Sequence, residues 1–132
     1  MGSRNGLGKT SRMTLPRGTL VLTQLDPTLG HEQRGVRPCV IVSDPSVTQH
    51  QRFPLVVVVP VTGTAGFGAL YPELSAGESG LVKTSYALVD HVRSVDKRRI
   101  VRVFGRISVD ELDAIERGLQ LLLGIHLIDI FD

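Results

Sequence analysis

A chain of 132 residues has room for one domain around a single core and not for two ordinary ones. Its 42% hydrophobic and 21% charged residues place it among soluble globular proteins, and four Phe, two Tyr and no Trp make its core chiefly aliphatic. A formal charge of +2 with a pI near 9.0 is mildly basic, so binding of any polyanion depends on where the cations sit. The single cysteine, Cys39, lies in an apolar run; it excludes an internal disulfide and predicts a reducing, cytoplasmic setting. No run approaches the ~18 to 20 apolar residues that span a bilayer.

Residues 1–14 are rich in Gly, Ser, Asn, Lys and Arg without hydrophobic periodicity, and read as a disordered arm or an added segment ahead of a single domain at 15–132. Gly8-Lys9-Thr10 ends like a phosphate-binding loop, but Ser3 stands where that motif needs glycine and no strand precedes it. Thr19 to Leu25 alternates as a strand, closed by Asp26-Pro27-Thr28. A polar stretch, Gly30 to Pro38, then holds His31, Glu32, Gln33, Arg34 and Arg37, with glycines at Gly30 and Gly35. Loops on a rigid scaffold are where binding and catalytic groups collect, although a solvated connection is the plainer reading of this stretch alone.

Pro38 to Ser43 predicts a second strand with proline at its opening, and Asp44-Pro45-Ser46 a turn or a short helix reaching about Gln51. Pro54 to Thr62 is the most hydrophobic run, as befits a central strand covered on both faces, with Thr62 emerging at its end. The glycines from Gly63 to Gly68 mark a mobile loop. Ala69 to Leu74, Leu81 to Thr84, Tyr86 to Val92 and Ile100 to Gly105 follow as strand candidates, with Arg102 predicted on the opposite face from Val101 and Val103.

One helix is well signalled. Ser108 and Glu111 form a capping box, Leu112, Ile115, Leu119 and Leu122 share a face, and Gly124 supplies the stop. The apolar tail Ile125 to Phe131 predicts an edge strand or a subunit contact. Six or seven short strands and one late helix make a mainly β (α+β) protein, a small, strongly curved sheet or partly open barrel.

The four histidines have no metal-ligand spacing, and neither a nucleophile elbow nor a dinucleotide-binding glycine pattern is present. No metal or other cofactor is therefore expected. The cations cluster in two sections, Arg34 with Arg37 and Lys83 to Arg106, a distribution that suits phosphates or a solvated strand face. So few aromatics do not make a base-stacking platform.

Arg17-Gly18, Asp26-Pro27, Gly30-His31-Glu32-Gln33 with Gly35-Val36-Arg37-Pro38, Pro60-Val61-Thr62, and Asp90-His91-Val92-Arg93-Ser94-Val95-Asp96 with Arg99 occur in one order and spacing. In these the chain resembles the MazF/PemK toxins of bacterial toxin–antitoxin modules, from Arg17 to about Gly124. The resemblance implies an SH3-like barrel with a C-terminal helix, a homodimer, metal-independent cleavage of single-stranded RNA at short sequences, and inhibition by an antitoxin protein. It implies that Arg37 stabilises the phosphorane and that Thr62 positions the scissile phosphate. Other members use the loop histidine with a later arginine and aspartate; His31 and Asp90 match, but Leu88 stands at the arginine position, which favours Arg37 and Thr62. Glu32 is a candidate base or an ion-pair partner of Arg37. Arg34, Ser85, Asp90, Arg93 and Arg99 are expected along the RNA groove, with a turn role as the simpler account of Ser85. A barrel toxin that binds DNA gyrase without catalysis, and a plain RNA-binding module, are the rival readings.

Overall fold

The computed structural model describes residues 15–50 and 52–125. The chain runs through β1 (Thr19–Gln24), β2 (Val36–Ile41), α1 (Pro45–Thr48), β3 (Leu55–Thr62), β4 (Glu73–Leu74), β5 (Ser85–Ala87), β6 (Arg93–Asp96), β7 (Ile100–Arg106) and α2 (Val109–Leu123), with 3-10 turns at Val89–His91 and Lys97–Arg99. All strand pairings are antiparallel, in the order β4-β5-β3-β2-β1-β7, and β6 also pairs with β3. The sheet curls into a half-barrel with α2 against it, the mainly β architecture that the strand pattern predicts.

The period-two alternation of the strands sends successive residues to opposite faces and so builds two cores. Leu20, Val40, Val59 and Val61 join Ile115 of α2 on one face; Val21, Cys39, Ile41, Val56 and Val58 join Val95 and Ile100 on the other. β3 is central because both its faces and both its edges are used. Burial in this core pushes the Cys39 thiol up to about 12, which leaves it without nucleophilic character at neutral pH.

Four expectations are corrected by long-range pairing. Tyr86 to Val92 is not one strand: between the pairs Val61–Ala87 and Val58–Arg93, β3 advances three residues while its partner advances six, and the excess is taken up by the turn at Val89–His91. Leu81 to Thr84 forms no strand, because the Leu81 carbonyl closes a turn onto the Gly77 amide and Val82 is left 94% exposed. Val101 does not share the buried side with Val103. Between the pairs Leu22–Arg102 and Thr23–Ile100, β7 has one residue more than β1, and Val101 is the extruded residue. Arg102 itself lies over the Phe104 ring at 4.9 Å. Finally, β2 begins two residues before Pro38, so Arg37 stands on the strand opposite Thr23.

Smaller boundaries shift as well. The segment from Ala69 to Leu74 is a strand only at Glu73–Leu74, and α1, capped at its start by the Asp44 carboxylate, stops at Thr48. The predicted arm at 1–14 and the apolar tail beyond Ile125 lie outside the described residues.

α2 begins as its capping box requires. The Ser108 hydroxyl accepts from the Glu111 amide at 3.1 Å, and Glu111 Oε1 accepts from the Ser108 amide at 2.9 Å. The second carboxylate oxygen of Glu111 accepts from the Ser75 amide at 2.6 Å, which ties the helix start to the loop after β4. Gly124 ends the helix in the left-handed region. Gly118 lets the helix sit down on the sheet, since a Cβ there would stand 2.8 Å from the Ala69 carbonyl oxygen and 3.2 Å from Val89 Cγ2. Gly118→Ala should therefore lower stability by about 1 to 3 kcal/mol despite alanine's better helix propensity, measured as a fall in the urea midpoint. An unchanged or raised midpoint would mean the helix can lift without loss.

Candidate active site

The loop between β1 and β2 is anchored at its neck. The Leu25 amide donates to the Gly35 carbonyl at 2.9 Å, and the Gly35 amide donates to Asp26 Oδ1 at 3.0 Å. Gly30 and Gly35 both have positive φ, 57° and 76°, which the loop's two reversals require. Within the loop the Glu32 carboxylate accepts from the Leu29 amide at 2.5 Å, and Arg34 Nη2 donates to the Gly30 carbonyl at 2.9 Å. Arg37 donates from Nε to the Arg34 carbonyl at 3.0 Å; among the described residues neither of its Nη groups has a partner. No ion pair joins it to Glu32 among those residues.

Arg37 and Thr62 come from different strands into one cleft of about 480 Å³, whose walls also include Pro38, Gly63, Lys83 and Ser85. The Thr62 hydroxyl accepts from the Thr64 amide at 3.2 Å, which leaves its proton free to donate. Ser85 is buried and its hydroxyl donates to the Lys83 carbonyl at 2.9 Å, the geometry of a turn serine beneath the cleft floor. A second hollow of about 300 Å³ lies between His31, Glu32, Gln33, Asp90, His91 and Arg93. A third, of about 370 Å³, is walled by His31, Gln33 and His91 on one side and by Thr62 and Thr64 on the other, so the three share walls. The hollows adjoin in a row, the cleft of Arg37 meeting the third hollow at Thr62 and Thr64 and the third meeting the second, with Asp90, at His31, Gln33 and His91.

Asp90 is already engaged. Tyr71 donates its hydroxyl to Asp90 Oδ2 at 2.7 Å, which raises the Tyr71 pKa, and His91 Nε2 is 3.7 Å from the other oxygen. Arg93 lines the second hollow but donates from Nη1 to the Leu25 carbonyl at 3.1 Å. Arg99 lines none of the three hollows. Its Nη1 donates to the carbonyls of Gln24, at 3.2 Å, and Asp26. The neighbours of Arg99 point elsewhere. Buried Lys97 donates to the carbonyls of Thr48 and, at 3.3 Å, His50, while exposed Arg98 pairs with Asp96 and holds that carboxyl at about 2.

Two residues outside the site candidates read from the sequence bear on the groove, Lys83 in the cleft wall and Phe67 on the loop that follows Thr62. Lys83 stretches along Gly63, where a Cβ would stand 2.7 Å from its Nζ, and this sets a flexible cation beside Thr62. Its place is masked in the sequence because Leu81 to Thr84 reads as a strand. Phe67, 91% exposed between Gly66 and Gly68, presents a free aromatic face; a lone phenylalanine between glycines is the available signal. Among the described residues no three His, Cys, Asp or Glu side chains gather as a metal site, and no helix is long and apolar enough to cross a membrane.

Comparison with known proteins bears on the fold and the family. Residues 16–123 match the family described as PemK-like, MazF-like toxin of type II toxin-antitoxin system. The chain is 28% identical over 114 residues to the endoribonuclease MazF of Staphylococcus saprophyticus, covering 85% of this chain and 93% of that one. The crystal structure of MazF from Deinococcus radiodurans superposes with a TM-score of 0.75 at 29% identity, over 86% of this chain and 99% of that chain. A MazE–MazF complex from Deinococcus radiodurans gives 0.69 at 29% identity, covering 86% and 99%. With the family's model matching from just before Arg17 to the last turn of α2, this chain belongs to the PemK-like, MazF-like toxins of type II toxin–antitoxin systems.

Proposed function

We propose that the protein is an endoribonuclease toxin that cuts single-stranded RNA at short sequences, leaving a 2′,3′-cyclic phosphate and a 5′-hydroxyl. The observation that carries this reading is the convergence of Arg37, whose Nη groups have no partner among the described residues, and the Thr62 hydroxyl on one cleft. Attack by the RNA's own 2′-hydroxyl on the adjacent phosphate needs a base for that hydroxyl, a proton for the leaving 5′-oxygen and donors for the charged phosphorane. Arg37 supplies the last as a two-pronged cation, Thr62 holds a phosphate oxygen so that attacking and leaving oxygens stand in line, and the leaving 5′-oxygen, hydrogen-bonded by Arg37, takes its proton from water. None of these roles calls for a metal.

Of the two candidate bases, His31 lines a hollow together with Thr62, whereas Glu32 lines only the hollow beyond it and reaches the 2′-hydroxyl through water. Glu32 keeps lone pairs beyond its bond to the Leu29 amide and, unpaired with Arg37, is free to accept a proton. Phe67 offers a stacking face to one base, a single contact in place of the absent platform. Lys83, in the cleft wall, flanks the path of the backbone, while Arg34 lines none of the hollows and reaches RNA only from the exposed loop. Lys83→Ala should weaken binding to all single-stranded RNAs alike and lower the slope of log K against log[salt] by about 0.7, the share of one phosphate contact. An unchanged slope would remove Lys83 from the RNA path.

An antitoxin partner follows from family membership and from the MazE–MazF complex of the relative. A homodimer fits the apolar end of α2, where Leu121 and Leu123 are each 60% exposed, and light scattering of the purified protein checks it. The cytoplasm is the compartment in which such an enzyme meets RNA and its thiol stays reduced. The test of the activity is incubation of the purified protein with long single-stranded RNA in EDTA. Discrete fragments with cyclic phosphate ends are expected; a gel shift without fragments would leave an RNA-binding module, and neither would leave the gyrase-binding alternative.

A further inference from the structure

The loop that carries His31 and Glu32 and leads into Arg37 has few tertiary supports of its own, for nothing lies within 4 Å of the Cβ positions of Gly30 and Gly35. What holds it is the neck. Three successive carbonyls, of Gln24, Leu25 and Asp26, are met by two guanidinium groups from 68 to 75 residues away: Arg99 takes the first and third, and Arg93 the second. On the other side of the neck the Asp26 carboxylate accepts from the Gly35 amide, and the Leu25 amide donates to the Gly35 carbonyl. Among the described residues neither arginine is in a salt bridge. Charge-assisted bonds to backbone carbonyls are stronger than neutral ones, and here they close the neck of a long, glycine-hinged loop.

We propose that Arg99, with Asp26, is a positioning residue for catalysis: it clamps the neck of the loop so that Arg37, two residues past Gly35, keeps its place opposite Thr62. It is not a contact to RNA phosphate. The inference rests on the nuclease reading above, and its support is geometric. Arg99 is kept in register by its own turn, since Asp96 caps Lys97–Arg99 and Lys97 anchors the same turn to the end of α1.

The experiment compares wild type with Arg99→Ala, Arg99→Lys, Asp26→Ala and Asp26→Asn. Three quantities are read: amide exchange of Leu25 and Gly35 in the free protein, kcat and KM on single-stranded RNA, and the salt slope for binding a 2′-fluoro transcript that lacks the attacking hydroxyl. Arg99→Ala should speed exchange at both amides by about tenfold and lower kcat by about tenfold or more, with KM and salt slope unchanged. Asp26→Ala should do the same. Asp26→Asn, which keeps the acceptor for the Gly35 amide, should retain activity, and Arg99→Lys should fall between. If Arg99→Ala does not fold, the Asp26 pair carries the same readout. A salt slope smaller by about 0.7 with kcat intact would make Arg99 a phosphate contact and overturn the proposal. A wild type that leaves RNA whole overturns the nuclease reading and the catalytic role together. An active wild type whose Arg99→Ala variant keeps its Leu25 and Gly35 protection overturns the clamp alone.

Discussion

Arg37→Ala should reduce RNA cleavage by two to three orders of magnitude, on the order of 2.7 to 4 kcal/mol, which is the scale of removing one preorganised donor from a developing oxyanion. The loss should fall on kcat, because the negative charge that Arg37 answers is greatest in the phosphorane and smaller in the bound substrate. Stability should hardly move. The side chain is exposed and gives up a single bond, from Nε to the Arg34 carbonyl. Arg37→Lys should recover part of the rate, since an ammonium keeps the charge but not two parallel donors. Cleavage near the wild-type rate in Arg37→Ala, with the melting temperature unchanged, would move the catalytic cation to Lys83 or to the His31 end of the groove.

The residues behind this expectation are legible in the amino-acid sequence. The polar stretch from Gly30, the buried run ending at Thr62 and the capping box at Ser108 are local signals carried by composition and spacing, although the strand takes over at Val36 and only the family resemblance singles out Arg37 and Thr62. What stays hidden depends on register between distant segments. Nothing around Val89 announces that its chain must shed three residues to follow β3, and nothing near Val101 announces a bulge opposite β1. The three consecutive cations Lys97, Arg98 and Arg99 look alike as a charge run, yet one is buried under α1, one pairs with Asp96 and one reaches the loop neck. Charge runs show where cations are in sequence; only the pairing of β6 with β3 and of β7 with β1 decides what each can touch.

Thr62→Val should lower cleavage by about 10- to 100-fold, the ~1.5 to 3 kcal/mol of a hydrogen bond to a charged group. Valine keeps the shape and the strand preference of threonine, so the end of β3 should hold its pairing to β5 through Tyr86 and the melting temperature should not fall. Two things are lost with the hydroxyl: the donor that the proposed reaction aims at the scissile phosphate, and the acceptor for the Thr64 amide that turns the chain into the Gly63 to Gly68 loop. Thr62→Ser separates these from packing, because it keeps both polar roles while deleting the methyl. Recovery of most activity in serine together with loss in valine assigns the effect to the hydroxyl. The donor and acceptor roles then divide by kinetics: a misplaced phosphate lowers kcat, whereas a loosened glycine loop, whose Thr64 and Gly66 line the third hollow, raises KM. Full activity in Thr62→Val would confine Thr62 to closing the strand, and Arg37 would then act on a phosphate held by other groups.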